Sequence, residues 1–248
     1  MEAALETIDL DKSFHGIIAT NKVSLRVEKG ARHALIGPNG ADKTTLMNLL
    51  TGVLSPTFIL LDGKDITYLE PHQRVRLGMA RTFQINQLFA DLTPIETRGL
   101  AISERLGSGG DWWRIVGTNS GVIDETVSWL ERFSLTDVMG ERTAILPYGK
   151  QRLLEIELAF ACKPRVMLLD EPAAGVPEAE RHAILATVAA LPTNVTVLLI
   201  EHDMNIVFSF ADRISVLVNG QLFVEGTPED VARDPRVKAV YLGEALDD

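Results

Sequence analysis

Residues 37–50 read GPNGADKTTLMNLL, a glycine-rich turn that runs into a helix with Thr45, Leu46, Leu49 and Leu50 at helical spacing and Gly52 as its stop signal. The apolar stretch RHALI, 32–36, reads as a strand leading into that turn. Strand, turn and helix in this order aim backbone N–H groups and a positive helix end at an anion. The turn comprises Gly37, Pro38, Asn39, Gly40, Ala41 and Asp42, and Gly37, Lys43 and Thr44 match the phosphate-binding pattern G-x-x-x-x-G-K-[ST]. In that pattern Lys43 reaches terminal phosphates and the Thr44 hydroxyl ligates Mg2+, with Thr45 beside it in the same cradle. Asp42 breaks the pattern, because it stands where a glycine belongs. A carboxylate about 4 to 5 Å from one phosphate charge, at an effective dielectric of about 20, is repelled by roughly 3 to 4 kcal/mol. Lys43, Mg2+ or a side chain turned to solvent each reduce that penalty, so the expectation is weakened nucleotide binding.

Two further strand ends carry acids. RVMLLD and VTVLLI are continuous apolar runs of the kind found in central strands of a parallel sheet covered on both faces. The first opens at its C-terminal end into Asp170 and Glu171, where a ligand crevice lies in such sheets. Asp170 is placed to hold Mg2+, and Glu171 to polarise an attacking water as general base. The second ends in IEHD, where His202 is placed to contact a transferring phosphate.

Alternating runs LETIDL, VSLRV and FILLDG add strands around the turn, and KQRLLEIELAFA, EAERHAILATVAAL and MNIVFSFA read as helices. Between about residues 84 and 146 the pattern changes to a helical insert, with VIDETVSWLERFSL at helical spacing and GSGGDWWRIVGTNSG as loop chemistry. Trp112 and Trp113 in that loop either meet a partner or tuck the loop onto its own domain. Near the end, Asn219-Gly220 signals a type I′ hairpin turn, and Thr227, Pro228 and Asp230 signal a helix start.

Composition narrows the function classes. The formal net charge is −10, from 24 Lys and Arg against 34 Asp and Glu, which argues against a nucleic-acid partner. The one cysteine, Cys162, lies in LAFACKPRV and reads as a buried small hydrophobe in a reducing compartment. No apolar run reaches the ~20 residues of a membrane-spanning helix, and MEAALETIDLDKSF lacks the plan of a signal peptide. A cytoplasmic chain is expected.

Taken in order, GPNGADKTTL, RTFQ, LPYGKQ, LLDEP, AAG and EHD resemble the ATP-binding subunits of ABC transporters over nearly the whole chain. GMARTFQ, LPYGKQRLLEI, DEPAAG and DPRVKAVYLG look like the branched-chain amino acid importer branch. The resemblance implies an α/β fold with a P-loop NTPase core, a mostly parallel sheet flanked by helices, an antiparallel β subdomain and an inserted helical subdomain. Residues 1–88 and 146–248 would form the core and 89–145 the insert. It also implies that Gln84 senses Mg2+ and the attacking water, that Phe14 stacks on adenine, and that LPYGK, 146–150, contacts the γ-phosphate held by an opposite subunit. Gly149 would permit that close approach in trans, and Lys150, replacing a usual glutamine, either helps hold phosphate or sits at the helix start. AAGVPEAE matches the following loop loosely, and SPTFILLDG is shortened before its strand.

ATP and Mg2+ are the implied cofactors. The implied partners are two transmembrane permease subunits, a second ATP-binding subunit of the same or another chain, and indirectly an external solute-binding protein. The implied location is the cytoplasmic face of the membrane, and the implied role is that of an ATPase powering an importer. A second reading is a weakened nucleotide-binding subunit that docks on the permease while its partner hydrolyses ATP. A third reading, a DNA-repair or translation ATPase, lacks support, because the sequence shows no long coiled coil, tandem ATPase unit or basic tract and its charge is acidic.

Overall fold

The computed structural model describes residues 2–82, 88–105 and 120–242. Strand β5 (Arg32–Ile36) is buried along its whole length, as its unbroken apolar run requires. Numbered along the chain, it joins β8 (Met79–Arg81), β9 (Val166–Asp170), β10 (Thr196–Ile200), β11 (Arg213–Val218) and β12 (Gln221–Gly226) in a six-stranded sheet of order β12-β11-β5-β10-β9-β8. All pairings are parallel except β11 with β12. That hairpin turns at Asn219 (φ 47) and Gly220 (φ 71), the two positive values a type I′ turn demands.

A second, antiparallel sheet has order β4-β1-β6-β7, from β1 (Ala3–Thr7), β4 (Arg26–Glu28), β6 (Ile59–Leu61) and β7 (Lys64–Asp65). LETIDL thus ends one strand and begins another, because β2 (Leu10–Phe14) leaves the sheet to pair with β3 (Ile17–Val23). Helix α1 (Lys43–Thr51) buries Leu46, Met47, Leu49 and Leu50 in a cluster with Leu5, Val27, Leu35, Ile59, Leu168 and Leu198, drawn from both sheets. It stops at Gly52 in the left-handed region, φ 81. Helix α2 (Pro71–Arg76) then sends the buried Arg74 guanidinium to the carbonyls of Leu49 (3.0 Å) and Leu50 (2.6 Å), a cation at the negative end of α1.

The chain forms two compact units. Met1–Arg81, Arg165–Glu171 and Pro192–Asp248 make the first, which contains every described strand. Thr82–Pro164 and Pro172–Leu191 make the second, with α3 (Pro94–Arg105), α4 (Ser120–Arg132), α5 (Tyr148–Ala161) and α6 (Glu178–Ala189). Within the second unit Trp129 packs 4.4 Å from Phe160, centroid to centroid, and carries the Arg132 guanidinium 4.6 Å above its ring. Arg98 and Glu157 form a buried ion pair there, and burial lowers the Arg98 pKa to about 10. Cys162, at the end of α5, is half-buried rather than fully so, and burial raises its pKa, consistent with an unreactive thiol. The first unit also holds α7 (Met204–Phe210), α8 (Pro228–Arg233) and α9 (Pro235–Leu242). Thr227 caps α8 in a reciprocal capping box with Asp230. No described helix is long and apolar enough to cross a membrane.

A buried polar chain ties β5 to the hairpin. Ser215 Oγ donates to Glu225 (2.8 Å), so His33 Nε2, 2.8 Å from the same oxygen, donates to Ser215. Glu225 is held in turn by Arg213 at 2.7 Å. Burial, chiefly, holds the His33 pKa down to about 4, with Arg213 acting in the same direction against Glu225. Below about pH 6.5 the unfolded chain takes up a proton that the folded chain refuses, so the His33 contribution is fully present above that pH. As pH falls from about 6.5 to the native pKa, it removes about 3 kcal/mol of stability. His33→Gln, which keeps a donor to Ser215, is expected to lose this component. Denaturant midpoints across that window should diverge by it, and parallel pH curves for the two proteins would refute the assignment.

Candidate nucleotide site

The loop 37–42 leaves the buried end of β5 and closes with Ala41 N–H donating to the Pro38 carbonyl at 3.2 Å. Gly37 has no room for a side chain: an added Cβ would lie 2.2 Å from the Leu217 carbonyl oxygen of β11. At the other end of the loop, Asp42 adopts the left-handed conformation (φ 64, ψ 28) natural to the glycine it replaces and tolerated by Asp. Its carboxylate is half-buried and accepts the Thr45 hydroxyl at 3.2 Å. It makes no side-chain bond to the α1 backbone, so the first-turn amides remain turned to an incoming anion. Thr44, at the start of the helix, is exposed.

Lys43 Nζ donates to the carbonyls of Gly37 (2.7 Å) and Pro38 (3.1 Å), folded back over its own loop. Desolvation lowers its pKa, opposed by the charges of Glu171 and Asp170, so lysine and both acids share one electrostatic environment. Asp170 is 1% exposed, and burial raises its pKa against the hydrogen bond and charge of Arg81. Its Oδ2 accepts from Arg81 Nη2 at 2.9 Å. Its Oδ1 is buried with no hydrogen-bond partner among the described residues, the kind of oxygen a hard divalent cation takes. Glu171 follows in the left-handed region (φ 47), backbone strain of a sort concentrated at functional sites, with its N–H bonded to the Ile200 carbonyl at 2.9 Å. His202 Nδ1 stands 3.6 Å from Glu171 and 3.8 Å from Glu201, whose side chain is only 2% exposed.

The first unit therefore brings together the loop, Lys43, Asp170, Glu171 and His202. Phe14, on β2, is 40% exposed, with Lys12 Nζ 5.6 Å from its ring, so it presents a face to solvent instead of filling the core. Gln84, Trp112 and Trp113 lie outside the described residues. In the second unit Gly149 opens α5 against Glu180, whose carboxylate oxygen would lie 2.1 Å from an added Cβ. Lys150 is engaged within that unit, ion-paired with Asp137 at 2.8 Å and bonded to the Ser134 carbonyl, which favours the structural role at the helix start over phosphate binding.

Sequence reasoning missed three residues. Arg81 sits inside GMARTFQ, but only tertiary contact reveals that it touches Asp170 and Asn48, and Glu201 directly precedes His202, which it faces. Tyr241, on α9, brings its hydroxyl near the backbone amide of Gly37. Although over a third of the residue is exposed, its hydroxyl end lies against the loop, and desolvation pushes its pKa up to about 12.

Comparison with known proteins bears on the family and the fold. The family model described as ABC transporter matches residues 20–174, and that described as branched-chain amino acid ATP-binding cassette transporter matches 221–247. The chain is 40% identical to the high-affinity branched-chain amino acid transport ATP-binding protein BraF of Pseudomonas aeruginosa, covering 97% of this chain and 98% of that protein. It is 39% identical to LivG of Escherichia coli, of the same description, with 94% of each covered. Among solved structures, the ADP conformation of MJ1267, an ATP-binding cassette of an ABC transporter, superposes with a TM-score of 0.83 at 32% identity, covering 98% of this chain and 100% of that one.

Crowding at Gly37 is directly testable. Gly37→Ala must displace a backbone carbonyl and is expected to cost about 1 to 3 kcal/mol. Gly140→Ala, which meets open space at an ordinary backbone angle, is the control. Equal unfolding midpoints for the two variants would contradict the packing described.

Proposed function

Because this chain belongs to the ABC transporter family of ATP-binding subunits, we propose that it binds and hydrolyses ATP to drive import of branched-chain amino acids. The observation that carries the reading is the gathering of Lys43, Asp170, Glu171 and His202 beside a loop whose helix start is left without a side-chain cap. The BraF and LivG relatives and the match at 221–247 support the choice of solute class.

Lys43 exchanges its bonds to the Gly37 and Pro38 carbonyls for terminal phosphate oxygens, a trade of two neutral acceptors for charged ones. Thr44 and Asp170 would hold Mg2+, with Gln84 as the further ligand the family resemblance implies. Bound there, Mg2+ would neutralise charge on the phosphates. Glu171 takes the proton of the attacking water, and His202, beside it, contacts the transferring phosphate. Phe14 offers its exposed face to adenine. Gly149 approaches the nucleotide of a second ATP-binding subunit, of the same or another chain, so that closure of the pair completes each site.

Differential binding between open and closed pairs is the energy passed to two membrane permease subunits. Those subunits would seat on the helical insert expected at residues 89–145, a span that falls within the larger second unit. The chain works peripherally at the cytoplasmic face, supplied indirectly by an external solute-binding protein.

Asp42 weakens the site without removing it. Thr45 holds the carboxylate beside the first turn of α1, where it meets the same positive helix end that receives phosphate. Intact Glu171 and His202 favour a working ATPase over a purely docking subunit.

Two measurements on the assembled transporter decide the matter. Glu171→Gln is expected to retain ATP binding and to lower turnover by about a hundredfold or more. Turnover at the native rate would remove Glu171 from the mechanism. Asp42→Gly is expected to tighten ATP binding by about tenfold to a hundredfold, and identical titration curves would refute electrostatic weakening.

A further inference from the structure

Asp170 does not stand alone at the end of β9. Arg81, the last residue of β8, spreads its guanidinium between two elements: Nη2 donates to Asp170 Oδ2 at 2.9 Å, and Nη1 to Asn48 Oδ1 at 2.7 Å, with Thr51 Oγ1 at 3.5 Å. Both ionic side chains are buried, at 9% and 1% exposure. Asn48 lies one helical turn after Thr44, on the same face of α1. The remaining Asp170 oxygen, Oδ1, is buried with no hydrogen-bond partner among the described residues.

We propose that Arg81 is a positioning residue for the metal half of the ATP site, occupying one oxygen of Asp170 and the Asn48 amide so that a single acid oxygen meets the cation. This rests on the reading of Asp170 and Thr44 as metal ligands. One planar fork joins the strand that carries Asp170 to the helix that carries Thr44, and so sets the spacing between the two. Lysine, a point charge on a flexible stem, lacks the rigid fork that spans both acceptors. Partners that orient a metal ligand in this way commonly change metal affinity by about 10- to 100-fold when removed.

The test uses the full chain with a non-hydrolysable ATP analogue. Mn2+ affinity is followed by electron paramagnetic resonance, and analogue affinity in EDTA is measured separately. Arg81→Met is expected to weaken Mn2+ binding at least tenfold while metal-free analogue binding stays within twofold. Asp170→Asn is expected to weaken Mn2+ binding as well, and adding Arg81→Met to it should cause no further loss. Unchanged Mn2+ affinity in Arg81→Met, an equal loss of metal-free binding, or a full additional loss on top of Asp170→Asn would each overturn the proposal.

Arg81→Met leaves a buried acid unpaired, and if it fails to fold, two other proteins carry the test. The Arg81→Met/Asp170→Asn pair removes both charges and should match Asp170→Asn in Mn2+ affinity; a weaker value overturns the proposal. Arg81→Lys should fall below the native protein, and native affinity overturns it equally. If Asp170→Asn itself leaves Mn2+ binding untouched, the ligand reading fails and this inference falls with it. If only the Arg81 variants behave like the native protein, the ligand reading survives and this inference alone is lost.

Discussion

A carboxylate taken out of water at the end of a central strand must be compensated from within the protein, and Asp170 sets that demand here. Arg81 satisfies one oxygen, and the Lys43 charge acts on the group from the loop side. The Arg81 ion pair, which also reaches Asn48, draws β8, β9 and α1 to one point, and the Lys43 charge lies close enough to be felt there. A hydrophobic residue at 170 would relax that obligation and leave the sheet free of it. The convergence therefore reflects what the site does more than what the fold needs. Glu171, in a left-handed conformation immediately after, shows the same priority, since backbone strain there is sustained by a bond to the neighbouring strand.

The loop is shaped by exclusion as much as by bonding. Gly37 is pressed against a β11 carbonyl, Lys43 folds back on the loop's own carbonyls, and Asp42 takes a glycine-like backbone while its side chain turns to Thr45. The amides of the first α1 turn are left to face outward as a group. Asp42 thus conserves the shape of the cradle and alters its electrostatics, which is why a substitution that disrupts the motif leaves the fold intact.

Much of this was legible in the sequence wherever local chemistry decides local structure. RHALI and the run through Val166–Asp170 emerged as buried strands, Gly52 stopped α1, Asn219-Gly220 made the hairpin turn and Thr227 capped α8. Periodicity blurred where strands are short: the two-residue β7 carries no readable pattern, and LETIDL spans a change of sheet. Helix α2 escaped notice because its buried residue is an arginine, Arg74, stabilised by four carbonyls that no spacing rule anticipates. The motif residues Lys43, Asp170, Glu171 and His202 lie near one another in the first unit, whereas Arg81 and Tyr241 meet neighbours distant in the chain that no motif announces. Lys150 showed the converse, a charge beside a motif that is spent on Asp137.

The Tyr241 hydroxyl stands near the Gly37 amide, so helix α9 borders the same loop that α1 completes from its other end. A side chain about two hundred positions away in the chain thereby belongs to the surroundings of the cradle. A change at Tyr241 alters those surroundings without touching any residue of the glycine-rich turn.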